Sequence, residues 1–213
     1  MKKMSPKKYK IALATQNKDK IKEIKKILGK NFKFVQLYKF PKIIENGKTL
    51  EENAVKKAKA IFKIIKITTL ADDSGLEVKA LGGRPGVYSA RFAGKNCNYS
   101  DNNKKLLKLL SNVPYKKRRA KFKTVVVIIF PDGKIKTTGG SVSGYITTNL
   151  IGKNGFGYDP VFYYPKLKKT FSQLTTAQKN RISHRAIAFK KAKKILLTIS
   201  KGSFNDLEKL GIY

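Results

Sequence analysis

At 213 residues with an apolar fraction of 41%, the chain is long enough to bury a sizeable core and too apolar to be disordered. Forty-eight basic residues against 13 acidic ones give a formal net charge of +35, which draws polyanions. The lysines are spread from Lys2 to Lys209, and only six of the basic residues are arginine, so a lysine-coated soluble protein that attracts nucleotides fits better than a dedicated nucleic-acid binder. In chain order, residues 9–14 read as a buried first strand, and Ile11 to Ala14 is too short for a signal-peptide core. Thr15-Gln16-Asn17 is a polar turn that can cap a helix over 18–28, where Ile21, Ile24, Ile27 and Leu28 share one face. Residues 32–37 read as a second strand and 41–48 as a loop. Thr49-Leu50-Glu51-Glu52 resembles a capping box opening a helix to about Ile65.

Residues 68–71 read as a strand that ends at Ala71-Asp72-Asp73-Ser74-Gly75-Leu76-Glu77. Three of the 13 acids fall within six positions there. Like charges so placed need a compensating cation, and a hard divalent ion held by oxygen ligands is the usual one. A strand ending at this point puts both carboxylates at a sheet edge, where ligands sit. Further elements follow: a short one over 76–81, a helix over 101–110, a strand over 119–130, a turn at Pro131-Asp132-Gly133, and paired stretches over 134–138 and 141–147. The run 125–130 is far too short to span a bilayer. A glycine-rich loop over 154–160 precedes a strand at 161–163, and helices over 175–180 and 183–200 close the chain. The single Cys97 excludes an internal disulfide and fits a reducing cytoplasm, and the single His184 excludes a histidine metal cluster. Strands alternating with helices around one antiparallel stretch indicate a mixed α/β sheet.

Three constellations carry chemistry. Thr15-Gln16-Asn17-Lys18-Asp19-Lys20 opens a helix, whose free N–H groups and positive dipole end suit phosphate. Asn154-Gly155-Phe156-Gly157-Tyr158-Asp159-Pro160 allows close backbone approach, with Phe156 free to stack on a base. Ser183-His184-Arg185, with Lys179 one turn before, gathers donors at a helix start.

Together with Glu45-Asn46-Gly47, Glu52-Asn53-Ala54, and Leu81-Gly82-Gly83-Arg84-Pro85-Gly86-Val87-Tyr88-Ser89-Ala90-Arg91, these motifs resemble the inosine-triphosphate pyrophosphatase family over residues 10–194. The resemblance implies one domain over 1–213, an elongated mixed α/β sheet with flanking helices and two lobes around a central cleft. It also implies a cytoplasmic homodimer that hydrolyses dITP, ITP and XTP to the monophosphate and pyrophosphate with Mg²⁺. Under it, Thr15, Gln16, Asn17, Lys18, Asp19 and Lys20 hold the triphosphate. Asp73 is catalytic base and metal ligand, joined on the metal by Glu45, the one acid in the loop before Thr49, and Ser74 touches substrate. Phe156, Gly157, Tyr158 and Asp159 grip base and sugar, and Lys179, His184 and Arg185 complete the base pocket. Lys57 and Arg91 are further phosphate candidates. Two other readings stand beside it: the same scaffold acting on modified pyrimidine triphosphates, and a non-enzymatic binder of RNA or DNA.

Overall fold

The computed structural model describes residues 9–35, 37 and 39–209, with backbone alone from 199 onward. Strand β1 (Tyr9–Leu13) is buried toward its end and leads into helix α1 (Lys18–Leu28). Asn17 caps α1 by accepting the Lys20 N–H. Strand β2 (Phe32–Val35) pairs parallel to β1 and stops before the expected end at 37; Gln36 lies outside the described residues. Helix α2 (Leu50–Ile65) starts at Thr49, whose hydroxyl accepts from Glu52 N, while the Glu52 carboxylate reaches back to Lys48 N.

Strand β3 (Thr69–Val78) corrects the sequence reading. It does not end at the acids; it runs through them and pairs antiparallel with β5 (Arg119–Ile129) along its whole length. Gly75 lies within the strand, where a Cβ would meet the Gly86 carbonyl oxygen at 2.5 Å. Strand β4 (Pro85–Gly86) pairs there against Leu76 and Glu77. Helix α3 (Tyr99–Leu109) opens on a reciprocal Asn98–Asp101 capping box. The two stretches expected at 134–138 and 141–147 form one strand, β6 (Ile135–Ile146), broken in sequence only by Gly139 and Gly140. Strands β7 (Phe162–Tyr164) and β8 (Lys169–Thr170) and helices α4 (Thr176–Ile182) and α5 (His184–Lys209) complete the fold.

Among the described residues the strands form one eight-stranded mixed sheet in the order β2-β1-β3-β5-β6-β7-β8, with β4 on β3. Helix α2 covers one face, packing Ala54, Ala58 and Ile61 on Ala71, Val127 and Ile129. Helices α1 and α5 cover the other, packing Ile24, Leu28, Phe189 and Leu196 on Leu70, Val126 and Ile128. A further core at the far end of the same strands gathers Leu76, Val78, Phe122, Ile146, Phe162 and Phe171 with Leu106 of α3 and Leu110 just after it. Each such buried side chain stabilises by roughly 1.5–3 kcal/mol. The long strands β3, β5 and β6 thus carry two lobes, and a cleft lies where the cores meet. Strand β1 pairs β3 only as far as Leu70, and β4 pairs β3 only from Leu76 onward. The β3 edge between them opens to the cleft, beyond the carboxyl end of β1, the place where α/β sheets bind ligands.

Candidate active site

Side chains alternate across a strand, so Asp72 and Asp73 point to opposite faces of β3. They do not converge on one cation, which corrects the paired-carboxylate expectation. Asp72 turns toward α1 and α5. It is 1% exposed and meets Lys20 Nζ at 3.2 Å and Arg185 Nε at 3.4 Å. Burial alone would raise its carboxyl, but Lys20 and Arg185 outweigh burial and hold it far below the usual carboxylate range. Its cations are protein side chains, and its role is to hold Lys20 and Arg185.

Asp73 turns toward α2 and faces the cleft. Its Oδ1 lies 2.7 Å from Lys57 Nζ, and Asn53 Nδ2 donates to Oδ2 at 3.4 Å. Lys57 Nζ also meets Glu45 Oε2 at 3.0 Å. Two carboxylates from different segments therefore converge on one point charge. Burial raises the Asp73 carboxyl above its ordinary value, and Lys57 offsets this only in part. Among the described residues no group of three or more His, Cys, Asp or Glu side chains is placed to enclose a metal by itself.

The 15–20 segment follows β1 and reaches the same cleft as Asp73. Thr15, Gln16, Asn17 and Lys20 line it, whereas Lys18 and Asp19 are exposed and outside its lining. The Thr15 hydroxyl accepts from Asn17 N at 3.2 Å, which shapes the turn. Arg91, one of the weaker phosphate candidates, lines the cleft and donates to the Glu45 carbonyl at 2.7 Å.

At the other end sits the 154–160 loop. Gly155 has φ +78°, and a Cβ there would run into the Asp159 carboxylate. Asp159 is buried and accepts from Phe156 N at 2.8 Å and from Lys179 Nζ. Burial raises its carboxyl, and Lys179 counters this in part. Tyr158 is buried and donates its hydroxyl to the Ser89 carbonyl at 2.9 Å. Asp159 and Tyr158 thus brace the loop, and Phe156 is the residue it presents. Lys179 Nζ and Arg185 Cζ lie 4.6 and 5.4 Å from the Phe156 ring centre. Ser74 accepts from Arg185 Nη2 at 3.1 Å and shares a 2.7 Å bond with Thr124. His184 stacks on Phe122 at 4.4 Å with 9° between the rings. Burial pushes the His184 imidazole well below its ordinary pKa, with Arg185 and Lys179 adding to the effect, and among the described residues its Nδ1 has no hydrogen-bond partner. Close packing of α5 on β6 brings His184 and Arg185 into place. A Cβ on Gly140 would run into the His184 carbonyl oxygen and come within 2.6 Å of Ala188 N.

One buried residue escaped the sequence reading. Glu23 of α1 lies behind the pocket wall and meets Lys179 Nζ at 2.8 Å and Arg185 Nη1 at 2.7 Å. Burial opposes its ionisation, but Arg185 and Lys179 prevail and lower its pKa. The only sequence signal was a lone acid at the start of the Glu23-Ile24-Leu28 buried stripe of a lysine-rich helix. The whole cleft encloses about 500 Å³, room for a compact ligand with polar contacts at both ends.

The Ham1 family model matches residues 11–195. A dITP/XTP pyrophosphatase of Desulforamulus reducens is 49% identical over 191 residues, covering 88% of this chain and 95% of the relative. That of Bacillus subtilis is 44% identical over 188 residues, covering 86% and 95%. The solved Ham1 protein of Staphylococcus aureus superposes with a TM-score of 0.79 at 43% identity, covering 89% of this chain and 98% of that one. A HAM1 protein from Coxiella burnetii gives 0.81 at 37% identity, covering 89% and 99%. The matched span coincides with the run of motifs, and the chain belongs to the Ham1 family.

Proposed function

We propose that this protein is a nucleoside-triphosphate pyrophosphatase that hydrolyses dITP, ITP and XTP to the monophosphate and pyrophosphate. One observation carries the reading. A single cleft holds a carboxylate–lysine cluster at Asp73, a helix N-terminus with Lys20, and an aromatic–cation pocket at Phe156, Lys179 and Arg185. That is a phosphate end and a base end joined by a hydrolytic centre. The relatives named dITP/XTP pyrophosphatase support it.

The donor set fits a hard divalent ion. Asp73 and Glu45 offer oxygen ligands already aimed at one cationic position, held by Lys57 Nζ at 2.7 and 3.0 Å. Mg²⁺ is ordinarily held by one or two carboxylates together with water and substrate phosphate. Bound there, it would neutralise charge on the phosphates and orient the leaving group. The Asp73 carboxylate takes a proton from the water that attacks the α-phosphorus. The bond to the bridging oxygen breaks, and pyrophosphate leaves. A base whose carboxyl is raised by burial is better matched to that work near neutral pH. Thr15, Asn17 and Lys20 orient the phosphate chain. Phe156 offers a stacking face, and Lys179 and Arg185 offer donors to a C6 carbonyl. Adenine carries an amine at C6 and would leave those donors unpaired, at roughly 1–3 kcal/mol per group. Guanine also carries a C6 carbonyl, so discrimination against it rests on the 2-position.

The same reading takes the protein as a cytoplasmic homodimer. Tyr115, Tyr145 and Tyr163 cluster at ring separations of 5.5 and 6.3 Å about Tyr115, which is 43% exposed and offers a second copy an apolar surface. Among the described residues no helix is long and apolar enough to cross a membrane.

A panel of nucleoside triphosphates with pyrophosphate detection tests the activity. Pyrophosphate release from ITP, dITP and XTP is expected to exceed that from ATP by about tenfold or more, one unpaired donor's worth, and EDTA is expected to abolish it. Preference for modified pyrimidine triphosphates would move the activity to the second reading. No release from any nucleotide would leave only a binding protein.

A further inference from the structure

We infer that Tyr99 is a positioning residue that spans the cleft mouth and fixes the separation between the phosphate end and the base end of the site. The inference rests on the pyrophosphatase reading, and no motif points to it. Tyr99 opens α3, in the lobe opposite α1. Its hydroxyl accepts from Asn17 Nδ2 at 2.9 Å. The Asn17 Oδ1 atom is already taken, accepting Lys20 N at 3.0 Å to cap α1. The Tyr99 ring lies 5.9 Å from the Phe156 ring, tilted by 40°. The Tyr99 carbonyl accepts from Asn103 Nδ2 at 2.9 Å, and that same amide donates to the Gly157 carbonyl at 2.8 Å. Asn103 is buried, so this brace is shielded from water.

Tyr99 therefore touches the phosphate loop with its tip and the base loop with its ring. Its backbone is joined to the base loop through Asn103. Tyr99 remains 41% exposed. It fills no core and is not one of the apolar residues that hold the lobes together. A half-exposed tyrosine between two binding loops contributes geometry instead: a rigid ring with a polar tip. A ligand held at both ends gains from a fixed spacing, because its second end then binds as an intramolecular event. A fragment that touches one end gains nothing from it.

That difference is the test. Affinities for the α,β-imido analogue of ITP, for inosine and for tripolyphosphate are measured by calorimetry in the presence of Mg²⁺. Tyr99→Phe keeps the ring on Phe156 and loses only the bond to Asn17. It is expected to weaken the analogue by roughly two- to tenfold, the size of one hydrogen bond, and Tyr99→Ala by more. Inosine and tripolyphosphate are expected to change by less than about twofold, because neither spans the cleft. With ITP as substrate, the loss is expected in KM, with kcat held in Tyr99→Phe. The proposal is overturned if Tyr99→Phe binds the analogue as the unaltered protein does. It is also overturned if the fragments weaken by the same factor as the analogue, which marks a local or merely structural contact. An unaltered protein that binds the analogue but never hydrolyses ITP overturns the pyrophosphatase reading and leaves the spacing comparison standing. One that does not bind the analogue overturns both.

Discussion

Replacing Asp73 with asparagine is expected to lower pyrophosphate release from ITP by roughly 10²–10⁴-fold, the span of general-base catalysis by one side chain. Any loss of metal binding adds to that. Asparagine matches the carboxylate in shape and can still accept from Lys57, which keeps Glu45 as its ionic partner at 3.0 Å. The fold is therefore expected to survive, with thermal unfolding close to that of the unaltered protein. Turnover is read by pyrophosphate detection and folding by circular dichroism. A folded Asp73→Asn protein with turnover within a few-fold of the original would remove Asp73 from the chemistry. Asp72 is no substitute base. It is sealed on the opposite face of β3 at 1% exposure and neutralised by Lys20 and Arg185.

The second large effect belongs to Glu23. Glu23→Gln leaves Lys179 and Arg185 as buried cations without the carboxylate that both contact, at 2.8 and 2.7 Å. Breaking a buried pair in this way costs about 3 kcal/mol. Lys179 keeps Asp159, and Arg185 keeps Asp72 and Ser74, so the protein is expected to fold with reduced stability. Both cations would shift within the base pocket, and a displacement on the order of 1 Å costs roughly 10²-fold in kcat/KM. The effect on stability has a defined pH signature. The folded pKa of Glu23 is lowered by Arg185 and Lys179 acting against burial. Its contribution is complete above the ordinary glutamate range and is lost as pH falls through the lowered folded value. The stability gap between the two proteins, read by urea unfolding at several pH values, is expected to be widest near neutrality and to close in acid. A gap that is absent at neutral pH, or that grows in acid, would contradict this account of Glu23.

Much of the site was legible because its residues sit in short strings. The 15–20 segment, the 154–160 loop and Ser183-His184-Arg185 each lie at an element end, where a motif and a structural boundary coincide, whereas Asp73-Ser74 lies inside β3 and is marked by its acids alone. The structure brings most of them to one cleft. Lys18 and Asp19 stay outside it because the first turn of α1 turns them to solvent.

Interior positions were harder to read. Adjacent acids look like one anionic site in sequence, but the two-residue period of a strand separates Asp72 from Asp73. Gly75 and Gly139-Gly140 look like chain breaks. Each instead lies within a long strand, and Gly75 and Gly140 admit close neighbours: the Gly86 backbone and the first turn of α5. Glu23 is one acid among the lysines of α1, and only the distant arrival of Lys179 and Arg185 makes it central. The Tyr99 link joins residues 82 positions apart and has no local signature. Local patterns report caps, periods and motifs, whereas these contacts are set by which elements the sheet order brings together.

A crystal structure of the protein with Mg²⁺ and the α,β-imido analogue of ITP tests the central claim most directly. The account predicts the triphosphate between the 15–20 segment and Asp73, with the hypoxanthine ring against Phe156 and its C6 oxygen facing Lys179 and Arg185. A triphosphate bound away from Asp73, or a base seated away from Phe156, would contradict it.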